Sequence, residues 1–123
     1  VINYLPHSES VKLLLKSEAL LMIVDDYTGN EEIVPGKVFE YIGSKRPIIT
    51  LAPQGAVTNL IQETECGKVA NSRDISGIKD IFLEYYDKYM NNNFSSEVNE
   101  EKIKKYERKE LTRKLAELFN SVV

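Results

Sequence analysis

One short segment combines residue types that together suit an anionic ligand carrying hydroxyl groups. Pro35 favours the first turn of a helix, because its φ is already helical and its missing N–H would be unpaired there. Gly36 lets a ligand approach the backbone, and Lys37 adds a cation beside the free N–H groups of the helix start. Glu40, one turn later, has a carboxylate that can accept two hydrogen bonds. The segment predicts a phosphate at the helix start and hydroxyl groups at Glu40.

A purely structural interpretation of the same residues is also open. Lys37 and Glu40 are three positions apart, so on a helix they could form an ordinary exposed ion pair. Pro-Gly is a common way to begin a helix. Spacing alone does not choose between the two interpretations.

An acidic pair, Asp25 and Asp26, suggests a different chemistry. It follows the apolar run Ala19–Val24, as in phosphoacceptor receiver domains, where such a pair holds Mg²⁺, and Thr50 stands where receivers carry a hydroxyl residue. A receiver also needs a phosphoacceptor Asp after an intervening strand, and no Asp occurs between Tyr27 and Pro47. The receiver interpretation is therefore the weaker one.

The other reactive side chains form no recognisable constellation. The chain has 1 His and 1 Cys, too few for a zinc cluster or an internal disulfide, which fits a reducing, cytoplasmic setting. We expect His7 at a helix start and Cys66 as a small buried residue. Tyrosines 85, 86 and 89 are expected in core and interface positions rather than as a platform for nucleic-acid bases.

Composition limits the class of protein. The chain has 123 residues, 42% of them hydrophobic and 28% charged, which argues against disorder. The formal net charge of −3 argues against nucleic acid as a partner. The longest apolar run, Ala19–Val24, is far shorter than the roughly 20 residues that span a bilayer. Because the sequence begins with Val1 rather than Met, we expect a piece of a longer chain.

Short apolar runs alternate with helical patterns up to about Met90, which predicts strand–helix–strand units. The fold class expected is α/β: a Rossmann-like three-layer sandwich with a mostly parallel sheet of about four strands, plus carboxyl-terminal helices. The predicted strands are Val1–Leu5, Ala19–Val24, Pro47–Leu51 and Gly67–Ala70, the second of them covered on both faces. The predicted helices follow Pro6 and span Gly36–Ser44, Val57–Glu65 and Ser76–Met90, the last with an apolar stripe of Ile78, Ile81, Phe82, Tyr85 and Tyr89.

The chain divides by composition into residues 1–90, which hold the predicted strand–helix units, and a helical segment, residues 91–123. Asn91–Asn93 and the two serines after them break the preceding helix. One or two helices are then predicted, with Leu111, Leu115, Leu118, Phe119 and Val122 at helical spacing. Acidic and basic residues interleave along this segment, as on a solvated helix face.

The predicted strands and helices place three loops at the carboxyl edge of the sheet. In open α/β sheets, ligands bind outside the carboxyl ends of the strands. The loops expected there are Leu5–Ser8, Asp25–Val34 and Ala52–Ala56, and the second of them leads into the segment with Lys37 and Glu40.

The stretch Val34–Ala70, "VPGKVFEYIGSKRPIITLAPQGAVTNLIQETECGKVA", resembles the carboxyl-terminal half of family-four glycosyltransferases, which have the GT-B fold. Members carry a Glu, seven residues and a second Glu at the start of a helix, then a Pro and a strand. Glu32 and Glu40 have that separation. The segments "VINYLPHSESVKLLLKSEALLMI" and "YERKELTRKLAELFNSV" resemble the flanking parts of the same domain.

The resemblance implies that residues 1–90 are a donor-binding domain for a nucleotide-sugar, incomplete at its amino end. The donor would be a UDP- or GDP-sugar, with no further cofactor and no metal. Glu40 would accept hydrogen bonds from the ribose hydroxyls, and Glu32, the catalytic candidate, would face the donor sugar. Pro35, Gly36 and Lys37 would lie near the diphosphate. The sugar would pass, with retention of configuration, to a glycan or lipid-linked acceptor.

The same resemblance implies parts that lie outside these residues. The acceptor domain and the basic residues that grip the diphosphate would precede Val1, so this chain alone is expected to be inactive. Peripheral membrane association of the parent and a homodimer through an open sheet edge are further expectations. Lys45 stands where relatives have the Gly that ends this helix. Either Lys45 takes a left-handed conformation, which costs about 1 kcal/mol, or the turn is built differently.

Two other functions remain open. One is a non-catalytic nucleotide-binding or interaction module on the same scaffold, because Ile33 and Val34 replace the Gly-rich run that family members carry after the first Glu. The other is a nucleotide-sugar epimerase, which would need no acceptor.

Overall fold

A computed structural model describes residues 4–93 and 98–122 and has an α/β architecture. The strands are β1 (Leu20–Ile23), β2 (Ile48–Leu51) and β3 (Gly67–Ala70). The helices are α1 (His7–Lys16), α2 (Lys37–Gly43), α3 (Ala56–Thr64), α4 (Ile75–Met90), α5 (Glu100–Lys104) and α6 (Arg108–Val122), and a short 3₁₀ turn spans Asn30–Glu32. Each internal helix and strand therefore lies within a residue or two of its predicted bounds.

The sheet has three parallel strands in the order β1-β2-β3 within the described residues. Leu20 pairs with Ile48, and Ile48 pairs with Gly67, so the three strands start in step. The prediction of about four strands is corrected to three. Tyr4 and Leu5 are not in a strand, and the rest of the predicted first strand, Val1–Asn3, lies outside the described residues.

Helices cover both faces of the sheet, as predicted. On one face Met22 and Ile48 pack with side chains of α2, α3 and α5 in the larger core, including Val38, Ile61 and Ile103. On the other face Ile49 and Ala70 pack with Ile81 and Tyr85 of α4. The division follows from the strand geometry, because successive side chains point to opposite faces. The arrangement is consistent with a Rossmann-like fold.

The expectation that β1 is covered on both faces is wrong. Leu20 and Met22 are buried, but Leu21 is 46% and Ile23 61% exposed. The reason is that β1 is an edge strand and the smaller core, with α4, forms over β2 and β3. The predicted stripe of α4 is likewise covered in part, since Phe82 and Tyr89 are exposed while Ile81 and Tyr85 are buried.

The turn after α2 takes the first of the two forms expected for it. Lys45 has a φ of 56°, the left-handed region that usually favours glycine. Its ammonium group also forms an ion pair with the Glu100 carboxylate, at 2.7 Å. Lys45 therefore joins the end of α2 to the start of α5.

The carboxyl-terminal segment forms two helices that differ in burial. Ile103 of α5 is buried in the larger core, whereas α6 buries none of its residues. Within residues 4–93 and 98–122, no helix is both long and apolar enough to cross a membrane.

Candidate functional site

Loops from all three strands are linked at the carboxyl edge of the sheet. An ion pair of 3.0 Å joins Asp26, after β1, to Arg73, after β3. The 3₁₀ turn that holds Glu32 lies against Gly55, in the loop after β2. The convergence predicted for the loops at Asp25–Val34 and Ala52–Ala56 is therefore confirmed, and Arg73 adds a third loop.

Gly55 allows the close contact between two of these loops. A Cβ at Gly55 would lie 2.8 Å from the Cα of Glu31 and would overlap its carbonyl group. Any other residue would push the turn with Glu31 and Glu32 away from the start of α3. Within that turn the Gly29 N–H donates to the Glu31 carboxylate at 2.8 Å, and the Asn30 side chain donates to the Asp25 carbonyl at 3.0 Å.

Glu32, the catalytic candidate, ends this turn and is exposed. Its carboxylate makes no hydrogen bond or ion pair to any residue in the described parts of the chain. The turn thus presents Glu32 to solvent beside the start of α3, while the preceding Glu31 is occupied with Gly29. Glu32 could face a ligand bound at this edge.

The segment with the strongest chemical pattern forms the start of α2. Gly36 is the residue that caps α2, and Lys37 is its first helical residue. The Lys37 ammonium lies 5.8 Å from the centre of the Tyr41 ring. Among the ion pairs of residues 4–93 and 98–122, none joins Lys37 to Glu40. The structural interpretation of these two residues as an ion pair is therefore wrong.

Glu40 and Gly36 line one groove, between α2 and the end of α5 with the start of α6. The groove has a volume of about 540 Å³, within the range of small-molecule sites. One wall is the outer side of α2, and the other comes from the carboxyl-terminal helices. The lining residues are Gly36, Phe39, Glu40, Ile42, Gly43, Ile103, Tyr106, Glu107, Arg108 and Leu111.

The second wall of the groove is fastened to α3. The Tyr106 hydroxyl donates to the Glu63 carboxylate at 2.5 Å, and Lys105 forms an ion pair with the same carboxylate. Burial, with the hydrogen bond to Glu63, raises the pKa of Tyr106 to about 12. Lys102 pairs with Glu65 at 2.5 Å. These contacts hold α5 in place and so define the groove.

The sequence did not indicate that this second wall exists. Leu111 was predicted as part of a helical stripe, Tyr106 only as the first residue of a segment that resembles the family's domain, and Ile103 carried no expectation. No local pattern says that the carboxyl-terminal segment returns to α2. A signal was present in the charges, since Lys102 and Lys105 match Glu63 and Glu65 on the preceding part of the chain.

Thr50 is placed away from the acidic pair. Its side chain is fully buried on the face of β2 that packs in the larger core. Its Oγ1 has no hydrogen-bond partner in the described part of the structure. A hydroxyl sealed in the core cannot act with Asp25 and Asp26, whose loop is exposed at the carboxyl edge. The receiver interpretation is therefore excluded.

The remaining candidates have structural positions. His7 begins α1 and is exposed, as expected. Cys66 is buried, and its Sγ lies 2.9 Å from the Thr64 hydroxyl. Burial raises the pKa of the Cys66 thiol, which keeps it protonated and unreactive. Tyr85 is in the core, whereas Tyr86 is exposed.

No group of three or more potential metal ligands lies together in residues 4–93 and 98–122. Comparison of the chain with protein-family models, with curated proteins and with solved structures finds no match. The functional argument therefore depends on the residues of the site itself.

Proposed function

We propose that this chain is the donor-binding part of a glycosyltransferase and binds a nucleotide-sugar. The observation that carries the proposal is that Glu40 and Gly36 line one groove, while Glu32 is exposed on a turn that contacts Gly55 at the start of α3. The same three residues, Glu32, Gly36 and Glu40, are those that the sequence resemblance assigns to the donor.

The chemistry of the groove suits a ribose with phosphate attached. Glu40 is exposed and has no partner in the described residues, so its two oxygens are free to accept bonds from neighbouring hydroxyl groups. Gly36 leaves open space, since a Cβ there would meet no atom within 4 Å. Phosphate oxygens could approach the backbone at Pro35 and Gly36, with Lys37 as the nearby cation.

Catalysis would need parts beyond this chain. In the proposed enzyme an acceptor-binding domain of the same parent closes over the donor, and the sugar passes to a glycan or lipid-linked acceptor with retention of configuration. Glu32 would face the sugar, and no metal or further cofactor takes part. This chain alone would bind a UDP- or GDP-sugar weakly and transfer nothing.

Two rival functions make different predictions for the intact parent. A non-catalytic module on this scaffold would bind a nucleotide or a protein without turnover. An epimerase would convert its donor in the absence of any acceptor. A glycosyltransferase forms product only when both donor and acceptor are present.

The test is a titration of the chain with UDP, GDP, UDP-glucose and UDP-N-acetylglucosamine, followed by backbone amide shifts in NMR. We expect shifts at residues 32–41 with at least one of them. Glu40→Ala should weaken binding at least about tenfold, because hydrogen bonds to a charged group are lost. Glu18→Ala, which removes another exposed carboxylate just before β1, is the control and should bind normally. Equal binding by both variants would refute the role of Glu40.

A further inference from the structure

We propose that β1 is the surface through which two copies of this chain associate, with the two β1 strands paired antiparallel about a two-fold axis at Leu21. The residues assigned to the donor lie outside β1, so this inference and the proposed function stand or fall separately. The open sheet edge expected from the sequence thus acquires one strand, one partner and one register.

The backbone of β1 is paired on one side only. The N–H groups of Leu20 and Val24 donate to β2, each at 2.9 Å. Because backbone groups alternate in direction along a strand, the N–H and C=O groups of Leu21 and Ile23 point away from β2. In the described part of the chain, no residue beyond the sheet forms a hydrogen bond with these groups. A row of free donors and acceptors of this kind fits another extended strand.

The two edges of the sheet differ in their protection against such pairing. β3, the other edge strand, carries Lys68, whose ammonium group forms an ion pair with Glu84 of α4. A charged side chain on an edge strand discourages association with a further strand. β1 consists of Leu-Leu-Met-Ile, with no charged residue and no proline. β1 is therefore the edge that is open to a partner.

Exposed apolar side chains continue from β1 onto α4. Leu21 and Ile23 lie on the face of the sheet that α4 covers, and both are exposed. Glu84 marks the flank of α4 that is turned to β3. Phe82 and Tyr89 are exposed and lie on the opposite flank, on the side of β1. A two-fold axis at the edge of β1 joins this apolar surface to the same surface of a second copy.

Charges at the two ends of β1 select the register. Glu18 precedes the strand and Asp26 follows it, and both are exposed. An axis at Met22 would place Glu18 opposite Asp26 of the second copy, and the two carboxylates would repel each other. An axis at Leu21 instead places Glu18 opposite an apolar residue and brings Lys16 towards Asp26 of the second copy. The charges therefore favour the axis at Leu21.

The axis at Leu21 also gives apolar contacts between the strands. The two copies of Leu21 face each other as a hydrogen-bonded pair and exchange two N–H···O bonds. Their side chains lie next to each other on the α4 face, and Ile23 comes opposite Ala19 of the second copy. The two sheets become one continuous sheet that is antiparallel at its centre.

Light scattering from micromolar to millimolar concentration tests the association. We expect the mean molar mass to rise from that of one chain, 14.0 kDa, towards twice that value. Leu21→Lys should keep the chain monomeric, because two ammonium groups would face each other at the axis. Leu83→Lys is the matched control, since Leu83 is 49% exposed against 46% for Leu21 but lies on α4. It should associate like the unmodified chain.

Two outcomes of that measurement would overturn the proposal. One is a monomer at every concentration. The other is association that Leu21→Lys leaves unchanged, which would assign it to another surface, such as the exposed apolar side of α6.

A pair of cysteine variants tests the register without adding a charge. The Cα atoms of a hydrogen-bonded antiparallel pair are about 5.5 Å apart, within reach of a disulfide. Leu21→Cys should therefore cross-link on mild oxidation with oxidised glutathione, as seen on a non-reducing gel. Ile23→Cys should not, because a shift of four residues separates its two thiols by about 13 Å. Ile23 is more exposed than Leu21, so random collision would favour the control. Equal cross-linking of both variants would refute the register.

The native thiol does not interfere with this test. Cys66 is buried, and burial raises its pKa, so it stays protonated and unreactive.

Amide hydrogen exchange distinguishes a second copy from another segment of the same chain. In the proposed dimer the Leu21 N–H is bonded across the axis, so its protection should rise with protein concentration. Strong protection of Leu21 that is the same at every concentration would mean that the chain covers β1 by itself, and would overturn the proposal.

Discussion

Helices α3 and α6 both have amphipathic sequences, but their burial is opposite. α3 buries 5 of its 9 residues, whereas α6 buries none of its 15. α3 lies between β2 and β3 in the chain, so the two strands bring it back onto the sheet. α6 comes after β3 in the chain, and no later strand in the described residues brings it back onto the sheet. Spacing of apolar residues therefore predicts which side of a helix seeks cover, but not whether cover is present.

The consequence for α6 is an open apolar stripe. The exposed large apolar side chains of this helix are Leu111, Leu115, Leu118, Phe119 and Val122. Only its first turns, through Arg108 and Leu111, contribute to the groove beside α2. The contrast with α3 can be tested by removing one apolar side chain from each helix.

The largest difference is expected for Ile61→Ala against Leu118→Ala. Ile61 of α3 is fully buried, so its truncation should lower the free energy of unfolding by about 2 to 5 kcal/mol. Leu118 of α6 is 59% exposed, and its truncation should change that free energy by less than about 0.5 kcal/mol. Urea denaturation followed by circular dichroism measures both.

A loss of more than about 2 kcal/mol in Leu118→Ala would break the comparison. It would mean that α6 is covered in solution, by a second copy or by another part of the chain. Light scattering on the same samples would distinguish the two, since a second copy makes the molar mass depend on protein concentration.

A smaller difference in stability is expected between variants of two glycines, Gly55 at the start of α3 and Gly43 at the end of α2. Gly55→Ala should destabilise the fold by about 1 to 3 kcal/mol, because the new methyl group overlaps the Glu31 backbone. Gly43→Ala should be neutral or stabilising by up to about 1 kcal/mol, since its Cβ meets open space on a helix. Thermal unfolding of both variants gives the comparison.

The Gly55 variant also reports on the site. If the Glu32 turn depends on contact with the start of α3, the amide signals of residues 29–33 should shift in Gly55→Ala and not in Gly43→Ala. Unchanged signals at the turn would show that the contact does not position Glu32.

Much of the fold could be predicted from local patterns, because they carry the needed information. The apolar runs at β2 and β3 and the helix pattern of α3 gave bounds correct to about a residue. Whether each face of a strand is buried could not be predicted from local patterns in the same way. The run before Val24 looks like a strand buried on both faces, yet Leu21 and Ile23 are exposed, because burial depends on where α4 packs.

The site divides similarly into local and distant parts. Gly36, Glu40 and the convergence of two loops followed from the segment itself and from the rule for parallel sheets. The other wall of the groove did not, because it depends on contacts between α3 and α5 that are more than 30 residues apart in the chain, such as the Lys102–Glu65 pair. Lys45 is intermediate: its left-handed turn was one of two forms expected for it, and its ion pair with Glu100 was not expected.

α5 connects the buried helix α3 to the exposed helix α6, mainly through exposed carboxylates. Lys105 holds the pKa of Glu63 below its ordinary value, with help from Tyr106, and Lys102 does the same for Glu65. A carboxylate whose pKa is lowered by folding stabilises the fold above its unfolded pKa, here 4.5, and loses that effect as the pH falls through the folded value. The attachment of α5 should therefore be complete near neutral pH and weaken below about pH 4.5.

The smallest effect expected is a pH-dependent difference in protection between α5 and α3. It can be measured by amide hydrogen exchange between pH 6 and pH 3.5, corrected for the intrinsic exchange rate. The amide of Ile103, which donates to the Asn99 carbonyl, should lose protection as the pH falls, while amides within α3 keep theirs. Glu63→Gln together with Glu65→Gln should produce the same loss at neutral pH, because the variant removes the charges that acid neutralises. Equal protection of Ile103 at both pH values would mean that its burial in the core, rather than the ion pairs, holds α5 and the groove wall in place.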